Sequence, residues 1–146
     1  MSAPVSLLGL AGSIRRASHS RAVLATLAER LAPEIAITAF DIASLPHYDA
    51  DLDGEDKPEP VRRLKDAIAA ADGLLIVTPE YNCSIPGVLK NAIDWASRPG
   101  YNSVLKGKPV GLIGVSGSFA GGVRALQHLK PVLLATLAQP VPWPDV

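Results

Sequence analysis

Short apolar runs alternate along this chain with stretches whose apolar residues recur every three or four positions. "VSLLGL" (Val5 to Leu10) is continuously apolar, which predicts a strand covered on both faces. "SRAVLATLAERLA" places Val23, Leu24, Leu27, Ala28 and Leu31 on one helical face. "EIAITAF" predicts a second strand. Asp41 to Pro60 holds scattered prolines and the cluster DLDGED with little periodicity, and predicts a long exposed loop. "PVRRLKDAIAAAD" predicts a helix with Val61, Leu64, Ile68 and Ala71 inward. "LLIVT" predicts a third strand, Val88 to Ser97 a third helix, "PVGLIGV" a fourth strand and "GGVRALQHLKPVLLATL" a fourth helix. "QPVPWP" leaves room for a short fifth strand.

This βαβα alternation predicts a parallel sheet with helices on both faces and right-handed crossovers. Pro131 lacks a donor and crowds the preceding turn, so a kink is expected in the fourth helix. The last helix of a five-strand doubly wound sheet is missing from the pattern. The expectation is that the chain is truncated after Val146 or that a partner covers the open sheet face.

At 146 residues the chain is read as a single domain, 1–146. Its hydrophobic share of 48% supplies a core and argues against disorder. Fourteen basic residues balance fourteen acidic ones, which argues against a nucleic-acid partner and against an acidic electron carrier. Cys83 is the one cysteine, so an internal disulfide is excluded and a cytoplasmic location is expected. No run reaches the ~18 apolar residues of a membrane span, so no membrane partner is expected. The start, "MSAPVSLLGLAG", lacks a basic leading segment and is read as a buried first strand rather than a signal peptide.

Ligands of open parallel sheets bind beyond the carboxyl ends of the strands. Three loops leave those ends here. "GSIRRASHS" (Gly12 to Ser20) combines hydroxyls at Ser13, Ser18 and Ser20 with Arg15 and Arg16, at the start of a helix. Unpaired amides, a positive dipole end and added donors suit a terminal monophosphate. Neither a dinucleotide glycine fingerprint nor a P-loop is present. The plainer alternative is a polar loop with Ser20 as an ordinary N-cap.

The second loop opens "PEYNCSIPGVLKNAIDWASR" (Pro79 to Arg98). Pro79 turns the chain after the strand, and Tyr81 presents a flat ring. The helix that follows has an apolar arc of Val88, Leu89, Ala92, Ile93, Trp95 and Ala96 and a polar arc of Lys90, Asn91, Asp94 and Ser97. A tight turn before a core helix explains that helix but leaves Glu80-Tyr81-Asn82 unexplained. The third loop, "GVSGSFAGG" (Gly114 to Gly122), lets backbone approach a flat ligand and adds Ser116 and Ser118, although glycines also serve ordinary turns. Cys83 has no phosphatase-type arginine six residues on, where Leu89 stands, and no evident acid–base partner. His19, His47 and His128 show no metal spacing. Glu80 and Asp94 read better as cap or surface groups than as an acid–base pair.

Together, "GSIRRAS", "PEYNCSIPGVLKNAIDWASR" and "SGSFAGGVRALQHL" resemble the NAD(P)H-dependent FMN reductase family, a flavodoxin-like group with quinone, chromate and azo-dye reductases. The resemblance spans most of residues 5 to 137, and its middle segment is the most specific. It implies an α/β flavodoxin-like fold, a doubly wound five-stranded sheet of order 2-1-3-4-5. It implies FMN as cofactor and NAD(P)H as co-substrate. By carry-over, Ser13, Arg15, Ser18 and Ser20 would hold the FMN phosphate. Pro79, Glu80, Tyr81, Asn82 and Ser84 would face the ring, and Ser116 and Gly117 its other side. The family often has Asn in place of Ser20 and normally continues for tens of residues past the position of Val146.

The implied activity is an oxidoreductase passing hydride from the nicotinamide through bound FMN to a small-molecule acceptor: a quinone, flavin, azo compound or metal oxyanion. No catalytic side chain or metal is needed, because the cofactor carries the chemistry. The resemblance also implies a homodimer or homotetramer, with Tyr101 and Arg124 as guesses for its interface. The alternatives are a flavodoxin-type FMN electron carrier without NAD(P)H chemistry and a phosphate-binding module whose loop merely caps a helix.

Overall fold

The computed structural model describes residues 3–142. The apolar runs form five parallel strands: β1 (Val5–Ala11), β2 (Ile35–Phe40), β3 (Gly73–Thr78), β4 (Pro109–Gly114) and β5 (Gln139–Pro140). They pair in the order β2-β1-β3-β4-β5, as the resemblance implies. The register sets Leu8 beside Leu74 and Leu74 beside Val110. The periodic stretches form α1 (His19–Leu31), α2 (Glu59–Ala70), α3 (Gly87–Ala96) and α4 (Val123–Ala135). The helix α4 runs through Pro131 to Ala135 without a break.

Alternate strand positions feed two apolar layers, as the period of two in a pleated strand requires. Leu8, Leu10, Leu74, Ile76 and Val110 share one layer with α2, α3 and α4. Ala11 and Val77, with Ile37, Leu75 and Ile113 beside them, share the other with Leu24 of α1. The position at which the pattern lacks a last helix reaches residues 143–146, which lie outside the described residues.

The segment between β2 and α2 departs from the sequence expectation. It is not simply an exposed loop: 3₁₀ turns form at Ile42–Ser44 and Ala50–Leu52, each capped by an aspartate, Asp41 or Asp49. Ile42 and Leu45 are buried in the main core. The Pro46 carbonyl accepts Trp95 Nε1–H and Asn91 Nδ2–H, both at 2.8 Å. Tyr48 donates its backbone N–H to Asn91 Oδ1 at 2.7 Å, and its ring meets the edge of Trp95 at 4.9 Å. So α3 carries this segment on its flank, and the polar arc of α3 is partly spent on holding it.

Candidate functional site

The carboxyl ends of the three central strands are tied edge to edge. Gly12 donates its N–H to the Val77 carbonyl at 2.8 Å, and Val115 donates to the Thr78 carbonyl at 2.9 Å. A Cβ on Gly12 would lie 2.5 Å from Thr78 Oγ1, so only glycine lets the first loop leave β1 this close to β3. The three loops therefore start side by side. They enclose a cleft of about 230 Å³. Nine of the eleven residues expected to bind cofactor line it: Ser13, Arg15, Ser18, Ser20, Pro79, Glu80, Tyr81, Ser116 and Gly117.

The corner at the start of α1 is built for an acceptor-rich group. Ser13, Ser18 and Ser20 are all buried, the last to 1% exposure. Ser18 is the N-cap of α1, accepting from Arg21 N–H at 3.4 Å; the cap is not Ser20. Among the described residues Ser20 Oγ takes no hydrogen-bond partner, although it lines the cleft. That oxygen opens to the cleft rather than being sealed in the fold, so it is available to donate to or accept from a ligand. The first turn of α1 holds no acid to compete for its amides. Arg15 adds a cation; one of its amino groups donates to the Ala17 carbonyl at 2.7 Å, and it has no carboxylate partner among the described residues. The hydroxyls, the arginine and the free helix end together fit a phosphate ester.

The second loop is a two-residue hairpin. Tyr81 and Ser84 exchange backbone hydrogen bonds at 2.9 and 3.0 Å, and Asn82 and Cys83 between them have φ of 51° and 62°. Positive φ at both central positions is the type I′ geometry. The turn places Asn82 and Ser84 outside the cleft lining. Ser84 Oγ instead lies 3.1 Å from His128 Nδ1 on α4. Tyr81 remains at the cleft, half exposed, with its phenol 3.5 Å from Ser13 Oγ.

Glu80 lines the cleft but commits both carboxylate oxygens elsewhere. They accept the backbone N–H of Arg124 at 3.1 Å and its guanidinium at 3.4 Å. The residue before α4 is Gly122, in the left-handed region at φ 86°, which has no side chain to cap the helix. Glu80 supplies that cap across the chain. In the third loop, Ser116 Oγ accepts Ser118 N–H at 3.0 Å and Phe119 is fully exposed. Local sequence pairs neither His128 with Ser84 nor Arg124 with Glu80, since each pair is 44 residues apart. Among the described residues no cluster of His, Cys, Asp and Glu is arranged to hold a metal.

A model of the family described as NADPH-dependent FMN reductase matches residues 5–145. The chain belongs to the NADPH-dependent FMN reductase family. It is 40% identical to an NAD(P)H-dependent FMN reductase of Pseudomonas aeruginosa over 146 residues, all of this chain and 78% of that one. It is 50% identical over 121 residues to a 2-hydroxy-1,4-benzoquinone reductase of a Burkholderia species, covering 83% of this chain and 66% of that one. Among solved structures it matches the flavoenzyme NAD(P)H:(acceptor) oxidoreductase FerB of Paracoccus denitrificans. The TM-score is 0.91 at 38% identity, over 97% of this chain and 78% of that one. The fold is flavodoxin-like. As a member of the FMN reductase family the chain is an oxidoreductase, with FMN as its cofactor and NAD(P)H as its electron donor. The serine-lined corner suits the phosphate that such a cofactor carries.

Proposed function

We propose that the cleft between the loops after β1, β3 and β4 holds FMN for the transfer of electrons from NAD(P)H to a quinone-class acceptor. The observation that carries this reading is the Ser20 hydroxyl, open to the cleft and without a protein partner, beside Ser13, Ser18 and Arg15. These three hydroxyls and the Arg15 guanidinium bind the phosphate end. Bound FMN supplies hydride acceptance from the nicotinamide and two-electron delivery to the acceptor. Pro79 to Tyr81 form one wall of the ring site, and Ser116 with Gly117 the other. Asn82 and Ser84 act through the shape of the turn rather than by touching the ring.

No side chain of the cleft needs to act as nucleophile or metal ligand. Glu80 is engaged by Arg124, so its part is to fix the loop after β3 to the start of α4. The acceptor follows from the relatives, which include quinone reductases of Escherichia coli and Pseudomonas putida. We read the chain as one domain, acting in the cytoplasm as a homodimer or homotetramer. No described helix is long and apolar enough to cross a membrane.

Titration with FMN tests the reading directly. The protein takes up FMN at micromolar concentration and then oxidises NAD(P)H when 1,4-benzoquinone is added. Arg15→Ala weakens FMN binding by about 1.5–3 kcal/mol, the range for hydrogen bonds to a charged group. Failure to bind FMN at all overturns the proposal.

A further inference from the structure

The outer edge of the sheet at β2 is open. Val5 donates its N–H to the Glu34 carbonyl at 3.1 Å, and the register sets Val5 beside Ile35. In a parallel pair the backbone groups of successive residues face opposite sides. Ala36, Thr38 and Phe40 therefore turn theirs toward β1, and Ile35, Ile37 and Ala39 turn theirs outward. Among the described residues nothing hydrogen-bonds to that outward row. Native edge strands are usually blunted by lysine, proline, a bulge or brevity. The six residues of β2, IAITAF, include no charge, proline or glycine. The opposite edge strand, β5, carries Pro140. A hollow of about 240 Å³ shares this edge, between α1 and β2. Leu24, Ala25 and Ala28 of α1 line it with Ile37 and Ala39 of β2. Its one charged element is the Arg21–Asp41 pair, 2.9 Å apart.

We propose that β2 is where a second copy of this chain docks, the two β2 strands pairing antiparallel about a two-fold axis normal to the sheet. The inference rests on the homo-oligomer read above and is independent of what the cleft holds. A two-fold interface is isologous, so the edge must complement itself. With the axis at Ile37, that residue and its copy exchange both backbone hydrogen bonds. Ile35 does the same with Ala39 of the second copy. These are the outward-facing residues, as the hydrogen-bonded positions of an antiparallel ladder require. An axis normal to the sheet also keeps like faces on one side. Ile37 packs on the α1 side, and Ile35 and Ala39 share its face by the two-residue period. The isoleucines of the second copy therefore arrive at the hollow beside Ala25 and Ala28. Apart from a neutral ion pair that hollow is apolar, which suits aliphatic side chains and not a charged peptide. Backbone pairing supplies affinity, and the hollow supplies the choice of partner.

Amide hydrogen exchange and molecular mass together test the pairing on the full chain. As wild-type protein is concentrated through its assembly range, exchange at the amides of Ile35, Ile37 and Ala39 should slow by about tenfold or more, as entry into a ladder requires. Ala36, Thr38 and Phe40, already bonded to β1, should change little. Ala39→Pro removes one outward donor and leaves the β1 ladder intact, as an edge strand tolerates. Ala39→Lys installs the usual edge guard. Each variant should halve the mass measured by light scattering or weaken association by about tenfold, with FMN affinity within about twofold of the wild type. The exchange pattern is read on the wild type, so it decides even where a variant fails to fold. Fast exchange at Ile35, Ile37 and Ala39 in the assembled protein, or an unchanged mass in both variants, overturns the pairing alone. A wild type that stays monomeric at every concentration overturns the pairing and the homo-oligomer reading together.

Discussion

The carboxylate of Glu80 accepts the backbone N–H of Arg124 at 3.1 Å across 44 residues of chain. The contact joins the loop after β3 to the first turn of α4, which follows directly on the loop after β4. The ion-pair component is small, since the Arg124 side chain is 56% exposed and its charge is screened. The cap is worth more. Glu80→Ala should cost about 1–2 kcal/mol of stability, as loss of a helix N-cap does. Glu80→Gln keeps an acceptor oxygen and should cost less than half of that. Denaturant melts of the two variants check the order; equal losses would mean that charge, not the cap, sets the effect.

Ser18 and Ser20 sit two residues apart with separable roles. Ser18 caps α1, so Ser18→Ala should lose about 1 kcal/mol of stability as well as FMN affinity. Ser20 has nothing to lose in the ligand-free fold. Ser20→Ala should leave the melting temperature unchanged or slightly raised while weakening FMN binding about tenfold or more. If both variants lose stability and affinity together, Ser20 is structural.

Backbone geometry, not thiol chemistry, governs Cys83. Its φ of 62° costs about 1–2 kcal/mol for a residue with a Cβ. Cys83→Gly should fold with unchanged or slightly higher stability and keep its activity. Cys83→Val, β-branched, should lose at least about 1 kcal/mol. Activity lost in the glycine variant would return the thiol to the mechanism.

Asn91 holds the segment 41–58 with both ends of its amide. Asn91→Ala removes two hydrogen bonds and strands the Tyr48 N–H, at about 2 kcal/mol in sum. Limited proteolysis should then cut within 41–58 faster, with FMN affinity little changed.

Lys65 gives a pH signature. Burial, then the neighbouring charge of Lys57, lowers its pKa below the usual 10.5. Its charged form is disfavoured in the folded state, so the fold binds that proton less well than the unfolded chain does. Its stability cost is therefore fully present near neutral pH and disappears as pH rises through the lowered value toward 10.5. The stability of the wild type relative to Lys65→Met should increase over that window. A flat difference would rule this out.

The sheet and four helices were legible because each apolar run or periodic face is long enough to show its period. The segment 41–60 was not, because Ile42, Leu45 and Tyr48 enter the core singly, and single apolar residues carry no period. Local sequence also does not show which of Ser18 and Ser20 caps α1; only the position of the first helical turn decides it. The nine residues that share the cleft were legible as loops after strands. The type I′ turn that sets Asn82 and Ser84 outside the cleft lining is a matter of φ signs that "YNCS" announces only weakly. The tertiary cap from Glu80 and the His128–Ser84 contact join residues 44 apart, beyond the reach of any local pattern.

The hairpin at Tyr81–Ser84 has a practical consequence. It holds the one thiol of the chain exposed at its tip, two residues from a side chain of the proposed flavin cleft yet outside the cleft lining. Cys83 is thus a ready attachment point for a maleimide fluorophore. No other cysteine needs to be removed first, and emission quenched by an arriving flavin would report cofactor loading in real time.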